Sequence, residues 1–394
     1  MNIVVVGAGL AGANAVEELR KQGYTEDITL LGAEPHPPYE RPPLSKSVLL
    51  GDKEPDVVFV HDRAWYADQQ VDLRTDARVT AIDRDRKHVE VAGTQISYDR
   101  LLLTTGSQPR RLADLEPLQP LYLRTLEDSL RLKDRLQGTV LIVGAGWIGL
   151  EVASAARHAG AEVTAVETAA QPLLAVMGPE LGASFAALHR EHGVDLHLGT
   201  SIASVSDGEV TLADGHRVTP DLVVVGIGAA PDDQVGRDAG LAVDNGLLVD
   251  ARLRSADPAV FAAGDVANQD HPVLGRRVRV EHWDNAIEQG KHVAGVMLGG
   301  DEPYTRLPYF FTDQYDFGME LVGNVGPEGF DELVVRGETG GDRVYTAFWV
   351  AGGRVVAGMH ANDWDAIGPI REIVGQPFDE RLRDPGVPLS ELAS

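Results

Sequence analysis

Two short apolar runs along the chain end in glycine-rich turns, and each turn is followed by a helix-like stretch. The first run is Ile3–Val6 and leads into GAGLAG, while the second covers residues 141–143 and leads into GAGWIG. A strand, a tight glycine turn and a helix N-terminus together form a cradle for a pyrophosphate. The pattern therefore predicts two dinucleotide-binding sites in one chain.

The three glycines of each turn have separate tasks. The first permits the turn, the second lets phosphates approach the backbone, and the third lets the helix pack closely on the strand. A single G-x-G-x-x-G is a weak signal, but two such motifs, each followed by an acidic residue at a suitable distance, are a strong one. The glycines are Gly7, Gly9 and Gly12 in the first turn and Gly144, Gly146 and Gly149 in the second.

An acidic residue follows each turn at the distance where a ribose binds. Glu34 lies 22 residues after Gly12 and suits the two hydroxyls of an adenosine ribose, although an isolated glutamate there would more often be a surface acid. Glu167 lies 18 residues after Gly149. Its carboxylate repels a 2′-phosphate, and residues 168–171 offer no Arg or Lys to attract one. The second site is therefore predicted to prefer NADH over NADPH.

Alternating polar and apolar positions predict a short antiparallel meander in each half of the chain, followed by a strand that returns to a parallel sheet. The predicted strands are residues 79–82, 88–91 and 98–104 in the first half and residues 202–205, 209–212 and 222–228 in the second. The predicted helices are residues 12–23, a short one from about Lys46, one ending near Gly160, residues 179–192, one containing residues 292–298, and residues 363–374.

This repeated plan predicts an α/β protein with two Rossmann-like dinucleotide-binding domains that carry β-meander inserts, plus a C-terminal α+β domain. Residues 1–109 and 235–303 are predicted to form the FAD-binding domain, because a buried strand at residues 260–263 completes the first sheet. Residues 110–234 form the predicted NAD-binding domain. Residues 304–394 change to hairpins, at 333–336, 344–350 and 354–360, and lack a glycine fingerprint.

Charge and composition exclude several classes of function. The net charge of −25 argues against nucleic acid or an anionic membrane as a partner. The chain has no cysteine, which excludes an iron–sulfur cluster on its own thiolates, a thiolate zinc site and a redox disulfide. No metal-binding residues are assigned. No apolar run approaches the roughly 20 residues of a membrane span and no secretory signal is visible, so we expect a cytoplasmic protein.

Two dinucleotide sites in one chain suggest a tightly held flavin in the first site and an exchanging nicotinamide in the second. Asp265, at the end of a strand, suits the ribityl hydroxyls of a flavin and can also cap the next helix. Pro42 and Pro43 are expected to prevent regular structure, and Ser45 or a neighbour is expected to cap the helix that follows. Lys46, held on this loop, suits a phosphate or an electron-rich ring.

Nine motifs over essentially the full length resemble those of the FAD-dependent NADH:ferredoxin reductases that serve bacterial oxygenases and cytochromes P450. These enzymes belong to the glutathione-reductase-like superfamily, which also contains the apoptosis-inducing factors. The motifs are GAGLAG, RPPLSK, TTGSQPR, YLRTLEDS, GAGWIGLE, VVVGIG, FAAGDVA, EHWDNA and PYFFTDQYD. The combination of RPPLSK, GAGWIGLE and EHWDNA is specific to this subgroup.

The resemblance implies a set of cofactor contacts and two catalytic residues. Lys46 would lie beside the reactive edge of the flavin and pair with Glu151, stabilising the negative charge of the reduced ring. Trp147 would lie over the ring and move away for nicotinamide, or would be a packed core residue. The implied cofactor contacts, beside the six glycines and Glu167, are Ala11, Glu34, Arg41, Lys46, the backbone of Val79, Arg124, Asp265, Trp283, Trp147, Ile148 and Gly228.

The absence of cysteine separates this chain from disulfide reductases and implies that electrons leave the flavin directly. The implied acceptor is a [2Fe–2S] ferredoxin. The chain itself is expected to be a monomer or a weak homodimer. Phe311 stands where many relatives have Trp, and it lacks the indole N–H. Two alternatives are a rubredoxin or quinone reductase and an NADH-sensing flavoprotein like apoptosis-inducing factor. The candidate basic docking residues are Arg276, Arg277 and Arg279, together with Arg110 and Arg111.

Overall fold

The computed structural model describes residues 1–326 and 328–393, which divide into two compact units. Unit 1 contains Met1–Pro42, Pro55–Gln108 and Ala229–Arg306. Unit 2 contains Pro43–Glu54, Pro109–Gly228 and the chain from Leu307 to the last described residue. Unit 2 thus includes most of both the predicted NAD-binding domain and the predicted C-terminal domain, so the division into three domains stays a prediction. Residue 394, the end of the third predicted domain, lies outside the described residues.

The strands are short and occur along the whole described chain. They are β1 (Ile3–Val6), β2 (Ile28–Leu31), β3 (Val71–Arg74), β4 (Val79–Asp83), β5 (His88–Val91), β6 (Thr94–Ser97), β7 (Arg100–Leu103), β8 (Ser107–Pro109), β9 (Thr139–Val143), β10 (Glu162–Glu167), β11 (Asp195–Leu198), β12 (Ile202–Ser206), β13 (Glu209–Leu212), β14 (Arg217–Val218), β15 (Leu222–Val225), β16 (Ala229–Pro231), β17 (Leu247–Val249), β18 (Val260–Ala262), β19 (Ala267–His271), β20 (Arg276–Val278), β21 (Tyr309–Gln314), β22 (Phe317–Gly323), β23 (Glu332–Gly337), β24 (Tyr345–Ala351) and β25 (Arg354–Ala361).

The helices are fewer, and the longest of them flank the parallel sheets. The α-helices are α1 (Leu10–Lys21), α2 (Ser47–Leu50), α3 (Arg63–Asp68), α4 (Leu126–Lys133), α5 (Trp147–His158), α6 (Leu174–Glu191), α7 (Gln234–Asp238), α8 (Trp283–Met297) and α9 (Ile367–Ile373). Short 3-10 helices are Pro42–Ser45, Pro55–Val58, Ala113–Leu118, Gly264–Val266, Glu380–Arg383 and Leu389–Glu391. None of the helices in the described ranges combines the length and apolar character needed to span a membrane.

Unit 1 is built on a five-stranded parallel sheet in the order β18-β7-β1-β2-β3. Strand β1 is buried along its whole length, which explains its unbroken run of Ile and Val residues. The antiparallel sheet β4-β5-β6 follows β3 along the chain, and β7 then enters the parallel sheet. Strand β18 pairs with β7, in agreement with the predicted return of the chain to the first sheet.

Unit 2 repeats this plan with a four-stranded parallel sheet in the order β11-β10-β9-β15 and an antiparallel sheet β12-β13-β14. Its remaining sheet is antiparallel, in the order β21-β22-β25-β24-β23. Trp349 of β24 is fully buried and belongs to the same core as Phe185 of α6 and Val163 of β10. The predicted fold class, α/β with two Rossmann-like sheets, meander inserts and an additional C-terminal sheet, is therefore confirmed.

Two predicted helix starts were wrong, because α1 begins at Leu10 rather than at residue 12 and α9 begins at Ile367 rather than at residue 363. Helix α6 includes a first stretch from Leu174, but non-helical backbone at Gly178 (φ +78°) separates it from the stretch that begins at Pro179, as predicted. Helix α8 runs from Trp283 to Met297, so the helix predicted to contain residues 292–298 is confirmed except for its last residue. Its start was not predicted; there the side chain of His282 accepts a hydrogen bond from the N–H of Asp284. Such boundaries depend on side-chain caps that hydrophobic periodicity does not reveal.

Two strand predictions also need correction. The return strand of unit 2 ends at Val225 rather than at Gly228. Strands β21 and β22 form an antiparallel hairpin that the alternation of the sequence did not predict. Six of the seven residues of β22 are buried, so the sequence of this strand shows no alternation with a period of two.

The prediction that Pro42 and Pro43 prevent regular structure was also wrong. The two prolines begin a 3-10 helix, since the first positions of a helix need no N–H donor.

Helices α1 and α8 of unit 1 come into close contact at Gly290. A Cβ atom added there would lie 2.4 Å from the backbone oxygen of Ala11, whereas one added at Gly295 would lie 3.4 Å from the flexible side chain of Gln22. We predict that Gly290→Ala lowers the free energy of unfolding by about 1–3 kcal/mol, since the helices must separate. Thermal unfolding measures this effect. The control Gly295→Ala is expected to be neutral or stabilising, and equal effects of the two variants would contradict the prediction.

Candidate functional site

The glycine turn of unit 1 has no room for side chains at its first and third positions. Gly7 has φ +111°, and a Cβ atom there would lie 2.2 Å from the backbone oxygen of Thr104. A Cβ atom at Gly12 would lie 2.3 Å from the oxygen of Gly7. At Gly9, by contrast, an added Cβ would meet nothing within 4 Å. The second glycine therefore faces open space, as the approach of a phosphate group requires.

The glycine turn of unit 2 has the same geometry. Gly144 has φ +100°, and a Cβ atom there would lie 2.5 Å from the oxygen of Gly226, while one at Gly149 would lie 2.0 Å from the oxygen of Gly144. At Gly146 the nearest atom to an added Cβ is 3.7 Å away. Helices α1 and α5 begin after Gly9 and Gly146 without a side-chain cap. Both helix N-termini thus fit a pyrophosphate group.

Glu34 of unit 1 lies three residues beyond β2 and is part of a small polar cluster. Its carboxylate forms an ion pair with Arg41 at 2.7 Å (Oε1 to Nη2) and accepts a hydrogen bond from the hydroxyl of Tyr39. The guanidinium of Arg41 lies 5.0 Å from the centre of the Tyr39 ring. Glu34 and Arg41 remain about one-third exposed, which leaves this cluster accessible to a ligand. The structure therefore brings together two of the predicted contacts of the first cofactor.

Four further predicted residues lie in unit 1. Asp265 is in the 3-10 helix after β18 and accepts a hydrogen bond from Ser107 Oγ at 2.9 Å. Ala11 lies in the first turn of α1, and a Cβ atom added at Gly264 would lie 3.1 Å from its side chain. Trp283 is the first residue of α8, and Val79 is the first residue of β4.

Glu167 ends β10 beside the glycine turn of unit 2. Its carboxylate accepts hydrogen bonds from the backbone N–H groups of Ala145 at 2.8 Å and Ala169 at 2.9 Å. The hydroxyl of Thr168 donates to the same carboxylate at 3.1 Å. These bonds hold a negative charge next to the turn, which is the arrangement that disfavours an additional phosphate.

Glu151 lies on α5, two residues beyond Gly149, and its side chain is only 4% exposed. Oε1 of its carboxylate pairs with Lys46 Nζ at 2.7 Å and accepts a hydrogen bond from Thr312 Oγ1 at 2.6 Å. Oε2 accepts a hydrogen bond from Ser45 Oγ. The pairing of Lys46 with Glu151 is thus confirmed, whereas the predicted capping role of Ser45 is wrong, because α2 begins after Lys46 without a side-chain cap.

Buried polar side chains extend this arrangement beyond Glu151. Gln314 Nε2 donates to Thr312 Oγ1 at 3.2 Å, and Gln314 Oε1 lies 2.8 Å from His189 Nε2. His189 Nδ1 lies 3.3 Å from the hydroxyl of Tyr315. Sequence reasoning missed Thr312, Gln314 and His189. The one available signal was the polar alternation in FTDQY, which places Thr312 and Gln314 on one face of a strand.

Aromatic rings surround the start of α5. Trp147 packs against Phe310, with ring centres 4.3 Å apart, and against Phe185 at 5.8 Å. It remains partly exposed, and the neighbouring Ile148 is 40% exposed. Lys46 Nζ lies 5.4 Å from the centre of the Phe311 ring. Trp147 is thus a packed residue at an accessible position, and its movement on cofactor binding stays a prediction.

Arg124 and Gly228 are the remaining predicted cofactor contacts, and both lie in unit 2. Arg124 comes just before α4, and its backbone N–H donates to Asp128 at 3.2 Å. Gly228 is exposed and has φ +94°. Their roles stay predictions.

The predicted basic residues differ in how accessible they are. The guanidinium of Arg277 donates to the backbone oxygens of Val249 and Asn268, both at 3.0 Å. Arg279 is only 10% exposed and is paired with Glu281. Arg277 is nevertheless exposed, as are Arg110 and Arg111, and Arg276 is half-buried. Arg279 is therefore a poor candidate for contacts with a partner protein.

Two family comparisons cover most of the chain. Residues 1–290 match the family described as pyridine nucleotide-disulphide oxidoreductase, and residues 309–393 match the family described as reductase C-terminal. The chain is 39% identical over 401 residues to the ferredoxin–NAD(+) reductase component of the anthranilate 1,2-dioxygenase system of Burkholderia cepacia, covering 98% of both chains. It is 36% identical to putidaredoxin reductase of Pseudomonas putida, covering 99% of this chain and 96% of that protein.

Solved structures show the same likeness. The covalent complex of putidaredoxin reductase with putidaredoxin matches with a TM-score of 0.94 and 35% identity, covering 99% of this chain and 97% of that chain. The ferredoxin reductase of the CYP199A2 system from Rhodopseudomonas palustris matches with a TM-score of 0.93 and 33% identity over all of both chains.

Burial lowers the pKa of His189 to about 4. The ordinary histidine pKa of the unfolded chain is higher, so the unfolded state binds more protons between the two values and stability falls as the pH drops through this range. We predict that the titration of His189 alone lowers the free energy of unfolding by about 2 kcal/mol when the pH falls from 7.5 to 5. Thermal unfolding at both pH values should show a smaller loss in His189→Gln. The exposed control His158→Gln should behave as the wild type, and an equal loss in all three proteins would contradict the prediction.

Proposed function

The chain belongs to the pyridine nucleotide-disulphide oxidoreductase family, and on this basis we propose that its glycine turns bind FAD in unit 1 and NADH in unit 2. The protein is an FAD-containing, NADH-dependent ferredoxin reductase of the kind that serves dioxygenase and cytochrome P450 systems. The observation that carries the site assignment is the repeated glycine turn, in which only the second of the three glycines has room for an added Cβ atom. When bound, the two cofactors supply the redox chemistry, hydride transfer followed by single-electron transfer.

The residues of unit 1 fit the adenosine and ribityl parts of a flavin nucleotide. Glu34 offers carboxylate oxygens to ribose hydroxyls, and Arg41, fixed by its ion pair with Glu34, offers a cation to a phosphate or ring. Asp265 offers an acceptor to ribityl hydroxyls, with its side chain held by Ser107. Gly7, Gly9, Ala11 and Gly12 provide the phosphate cradle, and Val79 and Trp283 complete the proposed set.

The residues of unit 2 fit a nicotinamide nucleotide without a 2′-phosphate. Gly144, Gly146 and Gly149 form the cradle, and Glu167 fixes a negative charge against Ala145 beside it. Trp147 and Ile148 offer apolar surface at the start of α5. Gly228 and Arg124 complete the proposed set.

We assign Lys46 and Glu151 the task of stabilising the reduced flavin. A desolvated lysine next to a ring that gains negative charge lowers the energy of the charged state. Such a lysine must be held in place, and Glu151 does so through an ion pair at 2.7 Å. Ser45 and Thr312 donate to the same carboxylate, so that the buried charge of Glu151 is satisfied from three sides.

The chain has no cysteine, so electrons leave the flavin without a protein disulfide as an intermediate. We propose a [2Fe–2S] ferredoxin as the acceptor. The candidate basic contacts stay Arg276 and Arg277, together with Arg110 and Arg111, and of these Arg277, Arg110 and Arg111 are exposed. The oligomeric state, monomer or weak homodimer, belongs to the same proposal. Lys46 Nζ lies 5.4 Å from the centre of the Phe311 ring, and this ring, unlike an indole, has no N–H group to donate to a partner.

Thr312→Val tests the role of Glu151. Valine keeps the shape but removes one donor to the carboxylate, so less of its charge is neutralised beside the reduced flavin. We predict a midpoint potential of the flavin that is lower by on the order of 10–20 mV, together with slower reduction by NADH. Anaerobic redox titration and rapid-mixing absorbance measure the two effects. Thr312→Ser keeps the hydroxyl and is expected to behave as the wild type, and an unchanged potential in Thr312→Val would contradict the assigned role.

Anaerobic titration of the holoenzyme tests the proposed function as a whole. Near-stoichiometric NADH is expected to bleach the flavin, and subsequent mixing with a [2Fe–2S] ferredoxin is expected to restore the oxidised spectrum. Faster restoration by rubredoxin or a soluble quinone would favour the alternative acceptors. Slow oxidation by every acceptor, together with dimerisation on addition of NADH, would favour an NADH sensor. Failure of NADH to bleach the flavin would overturn both site assignments.

A further inference from the structure

Two histidines and an aspartate lie close together at the edge strand of the parallel sheet in unit 2. They are not part of the Glu151 cluster. Asp195 and His197 lie on the same face of β11, because they are two residues apart on one strand. His216 lies in the turn between β13 and β14. The three residues each present one ligand atom, and these atoms all lie within 4.8 Å of one another.

From this geometry we infer that Asp195, His197 and His216 form a binding site for a divalent transition metal, with Zn²⁺ as the ion that fits best. The inference does not depend on the proposed cofactors. The site cannot be recognised from a metal-ligand motif in the sequence, because 18 residues separate His197 from His216. The zero cysteine count excluded thiolate sites but not sites built from imidazole and carboxylate.

The spacing of the ligand atoms matches tetrahedral coordination. His197 Nε2 lies 3.2 Å and His216 Nε2 lies 3.7 Å from the same oxygen of Asp195. Zinc binds nitrogen and oxygen at about 2.0–2.2 Å, so neighbouring ligands of a tetrahedral ion are about 3.3–3.5 Å apart. Small side-chain movements of these partly exposed residues therefore suffice to close the site around an ion, with water in the remaining position.

Asp214 orients the ring of His197 and holds the backbone of His216, without being a ligand itself. Its Oδ2 accepts a hydrogen bond from His197 Nδ1 at 2.7 Å, and its Oδ1 accepts one from the backbone N–H of His216 at 2.9 Å. The backbone N–H of Asp214 donates to Thr200 Oγ1 at 3.2 Å, which fixes the turn. A proton held on Nδ1 leaves the lone pair of Nε2 available, as in the carboxylate–histidine–metal arrangement.

The donor set selects the class of ion. Two imidazoles and one carboxylate suit Zn²⁺, Co²⁺ or Ni²⁺, whereas Mg²⁺ and Ca²⁺ prefer oxygen ligands alone. An ion at this position would link β11 to the β13–β14 turn, which belong to different sheets of unit 2. Strand β11 pairs with β10, and Leu198 lies opposite Glu167 in that pairing. The linked strand is thus the neighbour of the one that carries Glu167.

Calorimetric titration of the EDTA-treated holoenzyme with ZnCl₂ tests the inference. Saturable binding of one Zn²⁺ per chain is expected, with no competition from equimolar Mg²⁺. His197→Gln and His216→Gln should each abolish this binding, while Asp214→Asn should weaken it by about 10–100-fold, because it disturbs the orientation of the ligands and removes none of them. The exposed His158→Gln, on α5, is the matched control and should bind as the wild type.

A second readout separates metal binding from a folding defect. The thermal unfolding temperature of the wild type should rise on addition of ZnCl₂, and that of His216→Gln should not, although both proteins unfold cooperatively without the metal. Absence of saturable binding would show that His197 forms only an ion pair with its aspartates. Undiminished binding by both histidine variants would place the zinc elsewhere. Either result overturns the inference, and neither depends on the reaction with NADH.

Discussion

A buried carboxylate is stable only if its charge is neutralised and its oxygens accept hydrogen bonds. Glu151 of unit 2 is such a group, since its side chain is only 4% exposed. Lys46 supplies the cation, and Ser45 and Thr312 supply hydroxyl donors. The condition explains why the loop before α2, the helix α5 and the strand β21 must meet at one point. It also explains why the lysine of the loop has a defined position rather than a solvated one.

The hydrogen bonds continue from Thr312 to Gln314 and His189, whose burial lowers the pKa of the histidine to about 4. A neutral imidazole next to an amide completes the network without introducing another charge near Glu151. The aromatic rings of Trp147, Phe185 and Phe310 pack beside this polar network. The polar network and the apolar packing therefore support the same helix N-terminus, into which the second glycine turn leads.

The glycine turns are constrained by backbone contacts alone. At Gly12 and Gly149 an added Cβ would come within 2.3 Å and 2.0 Å of a backbone oxygen, so no side chain fits. In both units this close approach packs the helix against the strand, so that the free N–H groups at the helix N-terminus point toward the phosphate cradle. The function of the turn thus depends on the conformation of a short segment, which is why the turn can be recognised from six residues of sequence.

The sequence alone determined the features that depend on neighbours along the chain: the α/β class, both cradles, the acidic residues after them and the absence of redox cysteines. Only the tertiary structure decided which side chains surround Glu151, because Lys46 and Thr312 lie 105 and 161 residues from it. It likewise brought His216 to the face of β11 that carries Asp195 and His197, and it placed a buried hairpin at β21–β22 without periodic pattern. Local periodicity reports which face is buried, whereas long-range contacts depend on how the sheets pack, and no spacing in the sequence encodes that.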